Sequence, residues 1–333
     1  MISVIIPTRN RASSLKTTLY SLSQQQHLEK VEIIVVDNGS TDGTAQLCQD
    51  LIEKGDMRLR YYHDAEPGLL TGRHLGASVA LGDLLCFLDD DVYLNPTWTG
   101  GVIDAFSDVA VQLATGPCLP LYETYPPAWL MAFWGKVPNG KACGWLSLID
   151  LGSQKLIIDT NYVWGLNFFI RKAALLELGG FHPDNIPPHL QAYQGNGETG
   201  LTLKAKEKGF KALYHPSLLL HHIVPAERLT LAYFEKRAFY QGICHSFYEL
   251  RKETYGTANE KPMPLSEKVY WALKKRSLMV KERFTSVEIR NLLKRFNQKE
   301  QEGYAFHQQA YLENEKVRSW VKKENYWNYK LPI

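Results

Sequence analysis

Leu84-Leu85-Cys86-Phe87-Leu88 runs as an apolar strand directly into Asp89-Asp90-Asp91. Three carboxylates at the end of a buried strand repel one another, and a bound divalent cation is one way to relieve them. A strand that ends in such a cluster suggests phosphate chemistry. Polar residues gather at two further strand exits, Pro7-Thr8-Arg9-Asn10-Arg11 and Asp37-Asn38-Gly39-Ser40-Thr41-Asp42-Gly43. Ser40 or Thr41 ahead of Asp42 also reads as the start of a helix, which makes capping the simpler role for Asp42.

The elements that must position these loops alternate between two periodicities. Apolar, β-branched or aromatic runs at Ser3 to Pro7, Val31 to Asp37, Arg58 to His63 and Asp83 to Asp89 have strand length. Helical stretches lie between them, near Ala12 to Gln25, Thr41 to Lys54 and Leu69 to Ala80. Strands joined by helical crossovers imply an α/β fold, a doubly wound and mainly parallel sheet. Ligands in such sheets bind beyond the carboxyl ends of the strands, where all three polar loops should converge.

Beyond Asp91 the pattern loosens. Residues 117 to 150 combine prolines with Trp129, Trp134 and Trp145, and read either as an irregular segment that could cover a site or as aromatics anchoring a core. A strand-like run from Tyr162 to Ile170 precedes a helix ending at Leu178-Gly179-Gly180. A helix from about Leu201 to Lys208 follows, then strand-like Lys211 to His215 and Leu218 to His222. After Pro225 the chain turns helical, over Arg228 to Arg251 and Glu267 to Leu293.

Charge separates the two parts. Residues 225 to 333 carry 21 Lys+Arg against 13 Asp+Glu, whereas the remainder carries 17 against 22. Lys274-Lys275-Arg276 and Leu293-Lys294-Arg295-Phe296 could touch anionic lipid, a peripheral membrane contact, or could form a solvated helical face. The basic residues lack interleaved aromatics, so nucleic acid is not an expected partner. With 333 residues, 45% of them apolar, the chain can bury a sizeable core. No run has the length of a membrane span and Met1 leads straight into a strand, so the expected location is cytoplasmic. Cys48, Cys86, Cys118, Cys143 and Cys244 are odd in number and scattered, and read as reduced thiols.

The ordered set Val4 to Arg11, Ile33 to Thr44, Gly82-Asp83 and Phe87 to Asp91 resembles the family 2 glycosyltransferases. The likeness covers roughly residues 1 to 224. It implies a GT-A, Rossmann-like catalytic domain over 1–224, with a nucleotide-binding half (1–116) and an acceptor-binding half (117–224). Residues 225–333 would be a basic helical extension. The resemblance further implies an inverting transfer from a nucleoside-diphosphate sugar to a sugar or other hydroxyl-bearing acceptor, with Mn2+ or Mg2+ on the diphosphate. By position, Asp91 would hold the metal and Asp89 the ribose, with Asp90 beside them. Thr8 and Asp37 match the nucleobase pocket, next to Pro7 and Arg9, and favour UDP or dTDP. Arg73 matches a position near the diphosphate, and Trp164, Gly165 and Asn167 match the segment that lines the acceptor and donor-sugar pocket. His74 stands where asparagine is usual and is left out of the site.

For the base, alignment on Leu201, Leu203 and Lys204 puts Glu198 at the position that takes the acceptor proton. Helix capping is the structural alternative for Glu198. His221-His222 resembles a late histidine that adds a metal ligand in some members, and imidazole favours Mn2+ over Mg2+. His222, three residues before Pro225, fits better than His221, and an ordinary packed or surface histidine is the alternative for either. Two other classes compete with this reading. A sugar-nucleotide nucleotidyltransferase would carry a glycine-rich loop after the first strand, and Thr8-Arg9-Asn10-Arg11 has no glycine. A non-catalytic carbohydrate-binding protein of the same fold would have no need to keep Asp89, Asp91 and Glu198 together.

Overall fold

The computed structural model describes residues 1–66, 68–255, 286–327 and 330–331. The chain divides into two compact units, one of residues 1–230 with 323–333 and one of residues 231–322. The first unit therefore runs on past the expected boundary at residue 224 and regains the last stretch of the chain.

The first unit opens with β1 (Ile2–Thr8), α1 (Ala12–Ser23), β2 (Val31–Asp37), α2 (Thr44–Lys54), β3 (Leu59–His63), α3 (Leu69–Val79) and β4 (Leu84–Leu88). It continues through β5 (Val92–Leu94), α4 (Trp98–Ala105), β6 (Val111–Thr115), β7 (Cys118–Tyr122), β8 (Gly135–Val137), β9 (Gly140–Cys143), β10 (Leu148–Asp150) and β11 (Leu156–Ile158). The last elements are β12 (Asn167–Arg171), α5 (Lys172–Glu177), α6 (Gly197–Glu207), β13 (Lys211–Tyr214) and β14 (Leu220–Val224). The main sheet has the order β11-β13-β6-β12-β4-β1-β2-β3. β3, β2, β1 and β4 are parallel, β6 and β13 share their direction, and β12 and β11 run against them. The mainly parallel α/β sheet expected from the sequence is present.

Alternation along β1 explains the two helical layers. Val4 and Ile6 join Leu15, Leu19 and Leu22 of α1 on one face. Ile5 points to the other, where α3 lies so close that a Cβ on Gly76 would stand 2.3 Å from the Ile5 side chain. Phe87, Phe168 and Phe181 fill the rest of that face with edge-on ring contacts. Successive connections from β1 lead outward to β2 and β3, whereas β4 lies on the opposite side of β1. That reversal opens a crevice between the exits of β1 and β4, the position where such sheets take ligands.

Residues 117 to 150 depart from the irregular segment expected. They supply four strands of a second sheet, ordered β5-β14-β7-β10-β9-β8. These strands are three to five residues long, too short to carry a legible alternation in sequence. Trp129, Phe133 and Trp145 pack on one another beside them.

In the second unit, α7 (Leu231–Tyr255) packs against the helix Val287–Glu313. A Cβ on Gly242 would fall 1.8 Å from the Glu300 carbonyl oxygen, and one on Gly303 1.9 Å from that of Phe239, so the two backbones meet through glycine. Phe296 is buried and the exposed Arg295 pairs with Glu235, so within the run at 293–296 Phe296 faces helical packing. Most of the helix expected over Glu267 to Leu293, with Lys274-Lys275-Arg276, lies outside the described residues. Among the described residues no helix is long and apolar enough to cross a membrane, and all five cysteines are free.

Candidate active site

The register of the sheet brings the polar loops together. Thr8 pairs with Asp37 across β1 and β2, and Ile5 with Phe87 across β1 and β4. The next residues along therefore meet at the crevice, where the Thr8 hydroxyl donates to Asp90 Oδ2 at 2.6 Å. Asp90 and Asp91 are buried, while the Asp89 side chain is 33% exposed.

Each acid has a guanidinium partner. Arg73 Nη2 lies 3.5 Å from Asp89 Oδ1. Arg11 spans two acids, with Nη1 2.9 Å from Asp90 Oδ1 and Nη2 2.7 Å from Asp91 Oδ2. Arg228, in the short 3-10 turn Ala226–Leu229, places Nη2 3.1 Å from Asp91 Oδ2. The repulsion that called for a bound cation is thus already offset by three arginines. Neither Arg11 nor Arg228 was singled out from the sequence. Its place in an exit loop, three residues after Thr8, was the available signal for Arg11, and Arg228 had none.

Electrostatics separates the three acids. Burial pushes the Asp90 carboxyl up to about 7, with Arg11 opposing. Burial and the charge of Asp91 also raise Asp89, against the pull of Arg73. Asp91 goes the other way, because the guanidiniums of Arg228 and Arg11 outweigh its burial and hold it well below the ordinary carboxylate range.

Asp91 Oδ1 is buried without a hydrogen-bond partner. His222 Nε2 lies 3.5 Å from it. Strand alternation in β14 turns His222, and not His221, toward this point, and Ile223 N–H donates to the Asp91 carbonyl at 2.8 Å. The His222 Nδ1 stands 2.9 Å from the Leu146 carbonyl, the outer contact that orients a ligating imidazole. An orphaned carboxylate oxygen beside an imidazole nitrogen suits Mn2+ or Mg2+, with the remaining ligands coming from phosphate and water.

Glu198 falls in the first turn of α6, which begins earlier than the periodicity indicated. Gly165 N–H donates to its Oε1 at 3.2 Å, and Arg73 Nη1 stands 3.7 Å from its Oε2. Arg73 is buried over the Phe181 ring. A Cβ at Gly165 would meet Arg73 Nη2 at 2.4 Å, so glycine is what lets this guanidinium lie there. Pro7 Cβ and Asn38 Oδ1 likewise exclude a side chain at Gly72, which seats α3 against the exits of β1 and β2.

Other expected residues are placed differently. Asp37 is at the crevice edge, but its carboxylate already accepts from Ser40 N–H at 2.7 Å and from the Tyr61 hydroxyl at 2.7 Å. Arg9 is exposed, while Arg11 turns inward. Trp164 is half-buried with Nε1 donating to Asn161 O. Asn167 differs from the expectation that it lines the sugar pocket. It is fully buried, accepting from Trp98 Nε1 at 3.3 Å and donating to Leu218 O at 2.7 Å, and it ties β12 to its neighbours. Asp42 has the structural role, accepting from the backbone N–H of Thr44 and of Ala12 at the starts of α2 and α1.

His74 is also structural. Its Nε2 accepts from Phe181 N–H at 2.9 Å, its Nδ1 lies 3.1 Å from the Tyr326 carbonyl, and its ring stacks on Trp327. Burial lowers its pKa to about 3, so the ring is neutral and clamps the returning C-terminal stretch.

A family model described as glycosyl transferase family 2 matches residues 3–178. The chain is 28% identical over 202 residues to a validoxylamine A glucosyltransferase of Streptomyces hygroscopicus subsp. jinggangensis, spanning 55% of this chain and 47% of that protein. It is 26% identical over 216 residues to glycosyltransferase AglE of Haloferax volcanii, spanning 64% of each. The chain thus spans about half to two thirds of the length of these relatives. Among solved structures, the mannosyltransferase PcManGT of Pyrobaculum calidifontis, in complex with GDP-Man and Mn2+, superposes with a TM-score of 0.55 at 20% identity, over 96% of this chain and 82% of that one. The shared fold is the GT-A type, here followed by a helical region.

Proposed function

Because the chain belongs to glycosyl transferase family 2, we propose that it moves a sugar from a nucleoside-diphosphate sugar, UDP or dTDP favoured, to an acceptor hydroxyl with inversion at the anomeric carbon. The observation that carries this reading is the position of Arg73, whose guanidinium joins Asp89 to Glu198. One buried group thereby registers the carboxylate expected at the donor ribose with the carboxylate expected at the acceptor. A structural neighbour solved with GDP-Man and Mn2+ supports a nucleotide-sugar donor and a divalent metal.

In the reaction, the acceptor oxygen bonds to C1 as the bond from C1 to the diphosphate oxygen breaks, the electron pair leaving with the diphosphate. Glu198 takes the acceptor proton, its Oε1 oriented by Gly165 N–H. Asp91 and His222 would hold Mn2+ or Mg2+, which neutralises charge on the leaving diphosphate when bound. Arg11 adds positive charge at the same edge. Thr8 and Asp37 face the base, Asp37 through lone pairs left beyond those given to Ser40 and Tyr61. Residues 1–224 carry these roles, with the helices that follow as an extension.

The test is a thermal-shift and product-release screen of nucleotide sugars with and without Mn2+. UDP- or dTDP-sugars are expected to raise Tm with metal and to release the nucleoside diphosphate slowly without acceptor. Absence of both responses for every nucleotide sugar overturns the reading.

A further inference from the structure

One guanidinium touches both groups that a cation would need. Arg228 Nη1 lies 2.8 Å from His222 Nε2, while its Nη2 lies 3.1 Å from Asp91 Oδ2. His222 Nδ1 faces the Leu146 carbonyl, so the ring proton sits there and Nε2 presents its single lone pair to the arginine. That lone pair cannot serve Arg228 and a metal ion together. Asp91 Oδ1, by contrast, is left without a partner. The Arg228 side chain is 22% exposed and its turn follows Pro225, so it has solvent on one side into which it can swing.

We infer that Arg228 is a built-in cation that holds the metal position in the donor-free enzyme and competes with the divalent ion for His222 and Asp91. The inference rests on those two residues being the metal ligands. Metal entry then requires Arg228 to leave, and a leaving guanidinium needs another anion. The diphosphate of the donor supplies one, so the exchange adds to the coupling that the diphosphate's own coordination of the ion gives. Couplings between ligands commonly amount to about 5–150-fold in affinity. Arg11, 2.7 Å from Asp91 Oδ2, keeps the buried carboxylate compensated while Arg228 and the ion exchange.

The experiment is a Mn2+ titration followed by electron paramagnetic resonance of the free ion, with and without UDP or GDP, on the full chain. Arg228→Gln is expected to bind Mn2+ about tenfold or more tightly than wild type without nucleotide, and to show a smaller further gain with nucleotide, the gain that remains being the diphosphate's own coordination of the ion. Arg228→Lys keeps one positive charge but not the two-pronged contact, and should fall between them. Thermal melts establish that both variants are folded. Mn2+ affinity that is unchanged or weaker in both Arg228 variants overturns the exchange. Asp91→Asn and His222→Gln separate the two layers. If they bind Mn2+ like wild type, the ligand assignment is wrong. If they lose Mn2+ while the Arg228 variants match wild type, the assignment stands and only the exchange falls.

Discussion

Arg73 and Glu198, 125 positions apart, face each other at 3.7 Å in the first unit of the chain. The pair ties α3, which packs against the exits of β1 and β2, to the start of α6. It also sets what each partner can do, because a carboxylate oriented by both a guanidinium and a backbone N–H has one defined approach for a proton.

Glu198→Gln should lower kcat by about 10²–10⁴-fold, the usual contribution of a positioned base. Glutamine keeps an oxygen for Gly165 N–H, so affinity for the nucleoside diphosphate should change little. Single-turnover rates beside UDP titrations separate the two, and undiminished transfer eliminates Glu198 as the base.

Gly165→Ala places a methyl against Arg73 Nη2 and must push the guanidinium aside. A shift of about 1 Å in a positioning group can cost about 100-fold, so kcat/KM should fall by at least tenfold. Gly144→Ala is the control, since its Cβ would meet only Trp164 at 3.9 Å, an ordinary contact. Equal activity in the two variants would refute Arg73 as the registering group.

Acid stability should report His74. Its folded pKa is lowered from 6.5 to about 3, so the unfolded chain binds the proton more readily between those values. Its contribution is therefore complete above about pH 6.5 and is lost as pH falls toward 3, at up to about 1.4 kcal/mol per pH unit. Denaturant unfolding of His74→Asn from pH 7 to pH 4 should show a shallower loss than wild type. Parallel curves would contradict the clamp on Tyr326 and Trp327.

In the helical unit, Gly303→Ala drives a methyl into the Phe239 carbonyl, and the backbones must part. Overpacking of this kind costs about 1–3 kcal/mol. Chemical denaturation should show it, with Leu312→Ala, at an exposed position, as the neutral comparison. A Gly303→Ala midpoint within error of wild type would mean that the helix pair tolerates separation.

Local pattern made the first sheet strands, their helices and the acid cluster legible, because apolar periodicity and turn chemistry are written in neighbouring residues. The second sheet was not legible, since its strands are too short for alternation to register. Nor could Asn167 be read correctly: a polar residue beside a pocket-like motif looks the same whether its amide meets substrate or, as here, Trp98 and Leu218.

The sequence by itself determined that a parallel α/β sheet would carry three carboxylates to its edge. Only the tertiary structure decided what balances them. Arg11, Arg73 and Arg228 come from three distant loops and helices, and a guanidinium on a long side chain leaves no periodic trace of the acid it will reach. Charge pairing across a crevice is set by strand order and register, which exist only once the sheet has formed.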